Sequence, residues 1–398
     1  AREAKKAAFT KYFPALNAGA ASFKADKPLF NITSEGGNLP VYDGNPAHLP
    51  LATQFAYFPS STIGMFGKGT FGMLNAIQPI FAGGRIVNGN RLASLGVEAG
   101  GYKEQLARNE VLLSTEEQYW RVVALDQKLK TVIRYEDFLT RLLVKVEAAY
   151  QAGLTMKNDV LKVKLKLSEL KVNRSKLQNG REISAMAFSQ HIGVPYDPQL
   201  ELEEALPDDG TPDSFKADHR AVLPSRPEYK LLAAAVRSER LQSRLKLGEF
   251  LPQAGIGLAG IYMKTDEAEG TTNGMIYGTI SIPLSGWWEA AHVMSGRKAR
   301  EKIAQNNLTD HSEALLIQME KAWQDLNDAH KLLQLAQEAQ AQAEENLKVN
   351  EDSYENGMSD VSDLLEAQAM KQQALDQVAD AAAGYRLKLV HYLQVTGR

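Results

Sequence analysis

At 398 residues the chain is long enough for two or three ordinary domains, or for one very elongated one. A formal net charge of −3 provides no field that would draw it to nucleic acid, and the absence of cysteine excludes disulfides, thiolate metal sites and cysteine nucleophiles together. Apolar runs such as Ala314-Leu315-Leu316-Ile317 fall far short of the ~18 residues of a membrane helix, which excludes helical insertion but not a β-barrel, whose strands hide their apolarity in alternation.

The chain opens on Ala1-Arg2-Glu3-Ala4-Lys5-Lys6-Ala7-Ala8, with no signal peptide, and reads like the middle of a helix whose beginning lies upstream. That helix ends at Tyr12-Phe13-Pro14. Alternating small and apolar residues then predict strands near 15–23 and 70–81, separated by a long loop, 24–69, rich in proline, glycine and aromatics. From Ile80 to Val194 there is no proline, and alanine, leucine, glutamate, lysine and glutamine dominate, as long helices require.

Residues 196–224 are Pro-rich and acidic (Glu201, Glu203, Glu204, Asp208, Asp209), without a clear period, and read as a linker. A helix follows over 225–249, where Ser225 and Glu228 have capping-box spacing, and it ends at Phe250-Leu251-Pro252. Strands are predicted near 253–264, with Ala254, Ile256, Leu258, Gly260 and Tyr262 on one face, and 273–284, with Ile276, Gly278, Ile280 and Ile282 on one face. Residues 265–272 form a polar turn between them. A second proline-free run extends from Leu284 to Arg398.

The two halves are one unit written twice. Gly153 and Gly357 stand 204 residues apart (357 − 153), and Tyr150/Tyr354, Asp159/Asp363, Pro79/Pro283 and Gly193/Gly397 keep that offset. The repeats cover 1–195 and 225–398. In each, Tyr-x-x-Gly splits the proline-free run, because a glycine at the helix C′ position accepts left-handed backbone. The result is a helical hairpin: about 86–152 then 155–192, and about 290–356 then 359–396. At ~1.5 Å per residue the first arms are on the order of 100 Å long, so they must pack as coiled coils, with seams such as Leu315, Met319, Ala322, Leu326 and Ala329. The fold class is mostly α with a membrane β-barrel portion. Four strands per chain leave open edges that cannot stand in lipid, so a barrel must be closed by other copies.

These tandem units resemble the TolC-like outer membrane efflux protein family over nearly the whole chain. The motifs are Gln78-Pro79-Ile80-Phe81-Ala82-Gly83-Gly84-Arg85, Ile282-Pro283-Leu284-Ser285-Gly286-Trp287-Trp288, Ser225-Arg226-Pro227-Glu228 and Leu251-Pro252. The resemblance implies a homotrimer with a twelve-stranded barrel in outer-membrane lipid and a helical tunnel through the periplasm. It implies a passive exit duct of a tripartite efflux pump or type I secretion system, working with a periplasmic adaptor at the hairpin tips and an inner-membrane transporter. No cofactor and no catalysis are expected. About a dozen residues of the first helix, plus a signal peptide, would lie upstream.

By the same resemblance Asp363 and Glu366 match two acidic residues that ring the periplasmic entrance. Their i, i+3 spacing puts both on one helix face, and six carboxylates around a pore would favour cations. The plainer reading is a helix-start aspartate and a solvated glutamate. Asp159 and Tyr354 match partners in a link that holds the closed state. Where the family pattern has an arginine two residues after the glycine, this chain has Ser359, so that lock is weakened, replaced or absent. Tyr150 and Tyr354 are equally well explained as packing beside the helix ends at Gly153 and Gly357.

Other motifs carry less. Gly255-Ile256-Gly257-Leu258-Ala259-Gly260 matches GxGxxG, but it lies within a strand with no helix after it, so it is not a nucleotide site. The seven histidines (48, 191, 219, 292, 311, 330, 391) form no HExxH, and no metal site is assigned. Trp287, Trp288 and Tyr262 suit either an interfacial aromatic belt or, for the tryptophans, packing at the strand-to-helix join. The competing reading, a soluble coiled-coil scaffold, explains the helices but not the alternating strands; nothing supports an enzyme.

Overall fold

The computed structural model describes residues 1–42, 44–203, 210–265 and 268–398. In chain order its elements are helix α1 (Arg2–Phe9), strands β1 (Ala15–Lys24), β2 (Phe30–Ser34), β3 (Gly37–Pro40), β4 (Phe55–Phe58), β5 (Ser61–Met65) and β6 (Lys68–Ala82), then helices α2 (Arg85–Gln151) and α3 (Lys157–Ile192). The short α4 (His219–Val222), α5 (Pro227–Glu249), β7 (Gln253–Thr265), β8 (Thr271–Ser281), α6 (Gly286–Glu355) and α7 (Val361–Val395) complete it. The fold is mostly helical with a small sheet. It divides into two compact units, Ala1–Glu98 with Arg237–Lys302, and Ala99–Val236 with Ile303–Arg398, so each unit draws on both repeats.

The first unit is built on an antiparallel sheet of order β1-β6-β7-β8. Its pairing aligns Leu16 with Ala76, Ala76 with Leu258, and Leu258 with Ile276, which collects the aliphatic side chains on one face. That face has no cover: Leu16 is 72% exposed, Leu74 61%, Ile276 76% and Ile280 78%. The opposite face is more polar, and there the Tyr277 hydroxyl donates to Asn75 Oδ1 at 2.6 Å. Pro79 lacks the N–H a central ladder needs. It is tolerated because β1 pairs no further along β6 than Ile77, and the register with β7 shifts between Pro79 and Phe81 in a bulge.

Several expectations are corrected in this unit. Residues 24–69 are not a plain loop: β2 pairs with β5 and β3 with β4, as two short antiparallel ladders between β1 and β6. Strands of four or five residues broken by Pro, Gly and Asp show no period long enough to read. The last strand ends at Ser281, before Pro283, and α6 starts at Gly286, four residues earlier than expected. Gly286 N–H and Trp287 N–H bond to Pro283 and Leu284 carbonyls, so the turn winds directly into the helix. In the polar turn, Asp266 and Glu267 lie outside the described residues.

Gly83 sits at the entry to α2 with φ +61°, and its Cα faces the backbone of Gly248 near the end of α5. A β-carbon on Gly83 would overlap the Gly248 carbonyl, so both residues are held to glycine by the close crossing of two backbones. Arg297 is buried against α5, donating to Glu239 Oε2 at 2.9 Å and to Gln242 Oε1 at 3.2 Å.

In the second unit α2, α3, α6 and α7 pack through apolar seams. Met319, Ala322, Trp323 and Leu326 of α6 close on Tyr385, Leu389 and Tyr392 of α7. Nearer the hairpin tips, Val132, Tyr135, Leu139, Leu142 and Val146 of α2 meet Val160, Val163 and Leu170 of α3, with Leu347, Val361 and Leu364 from the second hairpin. Each fully buried aliphatic side chain contributes about 1.5–3 kcal/mol by its removal from water. Ion pairs border the seams: Arg174–Glu136 at 2.8 Å and Arg181–Asp126 at 2.9 Å join α3 to α2, Lys128–Asp380 at 2.7 Å joins α2 to α7, and Lys388–Asp325 at 2.9 Å joins α7 to α6.

The segment between the repeats does more than link them. Tyr196, Leu200 and Leu202 pack on Val122, Ala185 and Phe188, while Phe215, Val222 and Leu223 pack on the α6–α7 seam. Tyr392 accepts a hydrogen bond on its hydroxyl from the Ala217 N–H at 3.0 Å. Of its acidic residues, Glu204, Asp208 and Asp209 lie outside the described residues. The capping-box reading of Ser225 and Glu228 is also corrected. Ser225 Oγ donates to the Val222 carbonyl at 2.6 Å, and Glu228 instead accepts from the buried Arg226, whose Nη2 also reaches Gln318 Oε1 at 3.1 Å. An arginine between the two capping positions outcompetes the backbone for the glutamate, because a charged donor makes the stronger bond.

Candidate functional site at the hairpin tips

Both hairpins turn on glycine in left-handed backbone, Gly153 at φ +74° and Gly357 at φ +70°. Gly153 N–H donates to Tyr150 O and Leu154 N–H to Ala149 O; Gly357 N–H donates to Tyr354 O and Met358 N–H to Ser353 O. This is the Schellman arrangement, and it explains Tyr-x-x-Gly: the tyrosine carbonyl takes one bond and the glycine supplies the reversal.

The helices that leave these turns start differently. On α7, Asp360 Oδ1 accepts from the N–H of Ser362 at 2.6 Å and of Asp363 at 3.1 Å. Those bonds, the one to Asp363 foremost, hold the Asp360 carboxyl below the usual carboxylate range. On α3 the equivalent place is Met156, with no side-chain cap. Asp360 is a helix cap the sequence reading missed, although Ser-Asp before an apolar-periodic run is a recognisable helix-start signal.

Asp363 and Glu366 stand on the exposed face of the first turns of α7, opposite the buried Leu364 and Ala367. Neither carboxylate has a side-chain partner among the described residues. Two acidic groups one turn apart, bare to solvent on a helix whose other face is locked into the core, can meet a cation or a third charged group without disturbing the fold.

Asp159 is engaged within its own chain. Thr155 Oγ1 donates to it at 2.8 Å, and Lys162 Nζ lies 3.5 Å away while also donating to Ser362 Oγ at 2.7 Å. Lys162 thereby ties the start of α3 to the start of α7. Tyr354 packs half-buried against the tip core, and its hydroxyl is pushed up first by burial and then by the nearby Asp159 charge. Lys145–Glu355 at 3.1 Å adds a second tie between the hairpins. Ser359 has a buried hydroxyl with no hydrogen-bond partner among the described residues.

The other motifs fall elsewhere. Gly255 and Gly257 lie inside β7, where a β-carbon on Gly257 would overlap the Tyr277 ring and one on Gly255 would crowd Thr279; the glycines make room for cross-strand side chains. Trp287 Nε1 donates to the Phe250 carbonyl at 2.8 Å, fixing the strand-to-helix join, while Trp288 is 85% exposed. His219 reaches the Tyr392 hydroxyl at 3.2 Å. Among the described residues no three of His, Asp and Glu converge on a common point, and no helix is long and apolar enough to cross a membrane.

Residues 220–398 match the family model for outer membrane efflux protein. Solved structures extend the likeness of fold to the whole chain. The outer membrane protein VceC of Vibrio cholerae superposes with a TM-score of 0.71 at 15% identity, over 99% of this chain and 90% of that one. The MtrE outer membrane channel of Neisseria gonorrhoeae, in its open state, gives 0.72 at 14%, over 100% and 83%. The CmeC outer membrane channel of Campylobacter jejuni gives 0.70 at 14%, over 100% and 80%. A search of curated protein sequences gave no match. The chain therefore has the fold of TolC-like outer membrane channels.

Proposed function

We propose that this protein is an outer-membrane efflux channel, the passive exit duct of a tripartite pump or type I secretion system. The observation that carries the reading is the sheet: four antiparallel strands with an uncovered aliphatic face and two unpaired edges, β1 and β8. An apolar face without cover suits lipid, and open edges do not survive there, so three copies closing a twelve-stranded barrel satisfy both conditions. The long helices of the three copies then form a periplasmic tunnel, met at its tips by an adaptor and an inner-membrane transporter. A soluble coiled-coil scaffold leaves that aliphatic face without a purpose.

In this reading Asp363 and Glu366 from three copies line the periplasmic entrance and favour cations. Asp159 and Tyr354, with Lys162–Ser362 and Lys145–Glu355 beside them, hold the hairpins of one copy together at the closed tip. The test is fractionation followed by light scattering. The protein should sediment with outer membranes, require detergent for extraction, and have a protein mass of three times 43.8 kDa in the micelle. A monomer that stays in solution without detergent would refute the proposal.

A further inference from the structure

The outer surfaces of the two hairpins carry opposite charge in matched rows. On α3, Lys157, Lys164 and Lys171 recur every seven residues, all exposed, beside the exposed apolar Leu161, Leu165 and Val172. On α6, Glu338, Glu345 and Asp352 also recur every seven residues, all exposed, beside the exposed Leu335 and Val349. A seven-residue interval drifts only about 20° per step on a straight helix, so each set is a stripe along one side. The apolar seam of α3 (Val160, Val163, Leu170) and that of α6 (Leu347) face the core of the unit, and neither stripe coincides with a seam.

The stripes are also matched in height. Lys157 lies four residues beyond Gly153 and Asp352 five before Gly357; Lys171 lies eighteen beyond and Glu338 nineteen before. Because α3 leaves its tip and α6 approaches its own, the two helices are antiparallel if laid side by side with tips level. That register sets Lys157 opposite Asp352, Lys164 opposite Glu345 and Lys171 opposite Glu338. Within the chain these pairs are not made: Lys164 is held by Glu147 of α2 at 2.7 Å, and Lys157, Lys171, Glu338, Glu345 and Asp352 have no ion-pair partner among the described residues. Ion pairs join α3 to α2, α2 to α7, α7 to α6 and, at the tips, α2 to α6 through Lys145–Glu355, and none among the described residues joins α3 to α6.

We infer that the lysine stripe of α3 docks on the acidic stripe of α6 in a second copy of this chain, with Leu161, Leu165 and Val172 packing between the charged rows. Apolar residues flanked by complementary charges at heptad spacing set partner and register in coiled coils, even where each exposed pair adds little stability. The inference rests on the trimeric reading above and assigns which helices meet.

The cysteine-free chain allows a direct test. Lys171→Cys with Glu338→Cys, and separately Lys157→Cys with Asp352→Cys, are introduced into the full chain, which is purified in detergent and treated with a short bis-maleimide. Denaturing gels should show covalent dimers and trimers, whereas Arg174→Cys with Glu136→Cys, a pair closed within one chain, should give monomer only. As a second measurement, reversing the three lysines to glutamate should lower the trimer's dissociation temperature, and reversing both rows together should restore most of it. Light scattering separates the outcomes. A trimer without interchain product, or a double reversal no better than the single one, overturns this pairing and leaves the trimer standing; a monomer overturns both.

Discussion

Asp360 caps the helix on which Asp363 stands: its Oδ1 accepts the Asp363 N–H at 3.1 Å, and the Ser362 N–H at 2.6 Å. Removing the cap by Asp360→Ala should cost about 0.5–1 kcal/mol, the lower part of the range for helix N-caps because the group is exposed. Hydrogen exchange should speed up at residues 361–364 and not elsewhere. Asp360→Asn, which keeps an acceptor, should restore protection. Because the folded carboxyl sits below its ordinary value, the charged cap's contribution is present above the unfolded carboxylate pKa and fades as pH falls through the lower folded value.

Gly83 and Gly153 share positive φ but not surroundings. A β-carbon at Gly153 meets open space, so Gly153→Ala should cost only the left-handed backbone strain, about 1–2 kcal/mol. At Gly83 the same strain is joined by overlap with the Gly248 carbonyl. Thermal unfolding should rank Gly83→Ala well below Gly153→Ala, and equal melting temperatures would contradict the close crossing of α2 and α5.

His391 is pushed below its ordinary pKa, first by burial and then by Lys388. A base depressed in the folded state binds more protons when unfolded, so stability is full above the unfolded pKa near 6.5 and declines as pH falls through that value toward the folded one. A denaturant series from pH 8 to pH 5 should show this slope, and His391→Gln should flatten it.

Leu326 is fully buried in the α6–α7 seam. Leu326→Ala should cost about 2–5 kcal/mol through lost burial and the cavity left behind. Trp288→Ala, at an exposed position, should change stability by less than about 0.5 kcal/mol. Chemical denaturation of both variants checks the contrast.

What could be read in the sequence follows the range of the forces involved. The mostly helical fold with a small sheet is written locally: proline-free runs, small and apolar alternation, and glycine where the backbone must turn left-handed. The ladders within 24–69 are not, because strands as short as Gly37–Pro40 and Phe55–Phe58 are made by their partner rather than by their own period. Ser225 and Glu228 misled because spacing alone cannot reveal that Arg226 takes the glutamate. The packing of Tyr196 and Phe215 is invisible for the same reason, since it depends on residues far along the chain. At the tips, Asp363 and Glu366 were singled out by resemblance, whereas the Asp360 cap and the Lys162–Ser362 tie depend on geometry that only the folded hairpins supply.

The most direct measurement is single-channel conductance of detergent-purified protein in a planar lipid bilayer, comparing the natural chain with Asp363→Ala/Glu366→Ala. The expected result is a small, cation-selective conductance whose selectivity is lost in the double variant. A channel of unchanged selectivity would remove the acidic entrance and keep the duct. No conductance from a trimer that has entered the bilayer, in either protein or at any voltage, would contradict the channel itself.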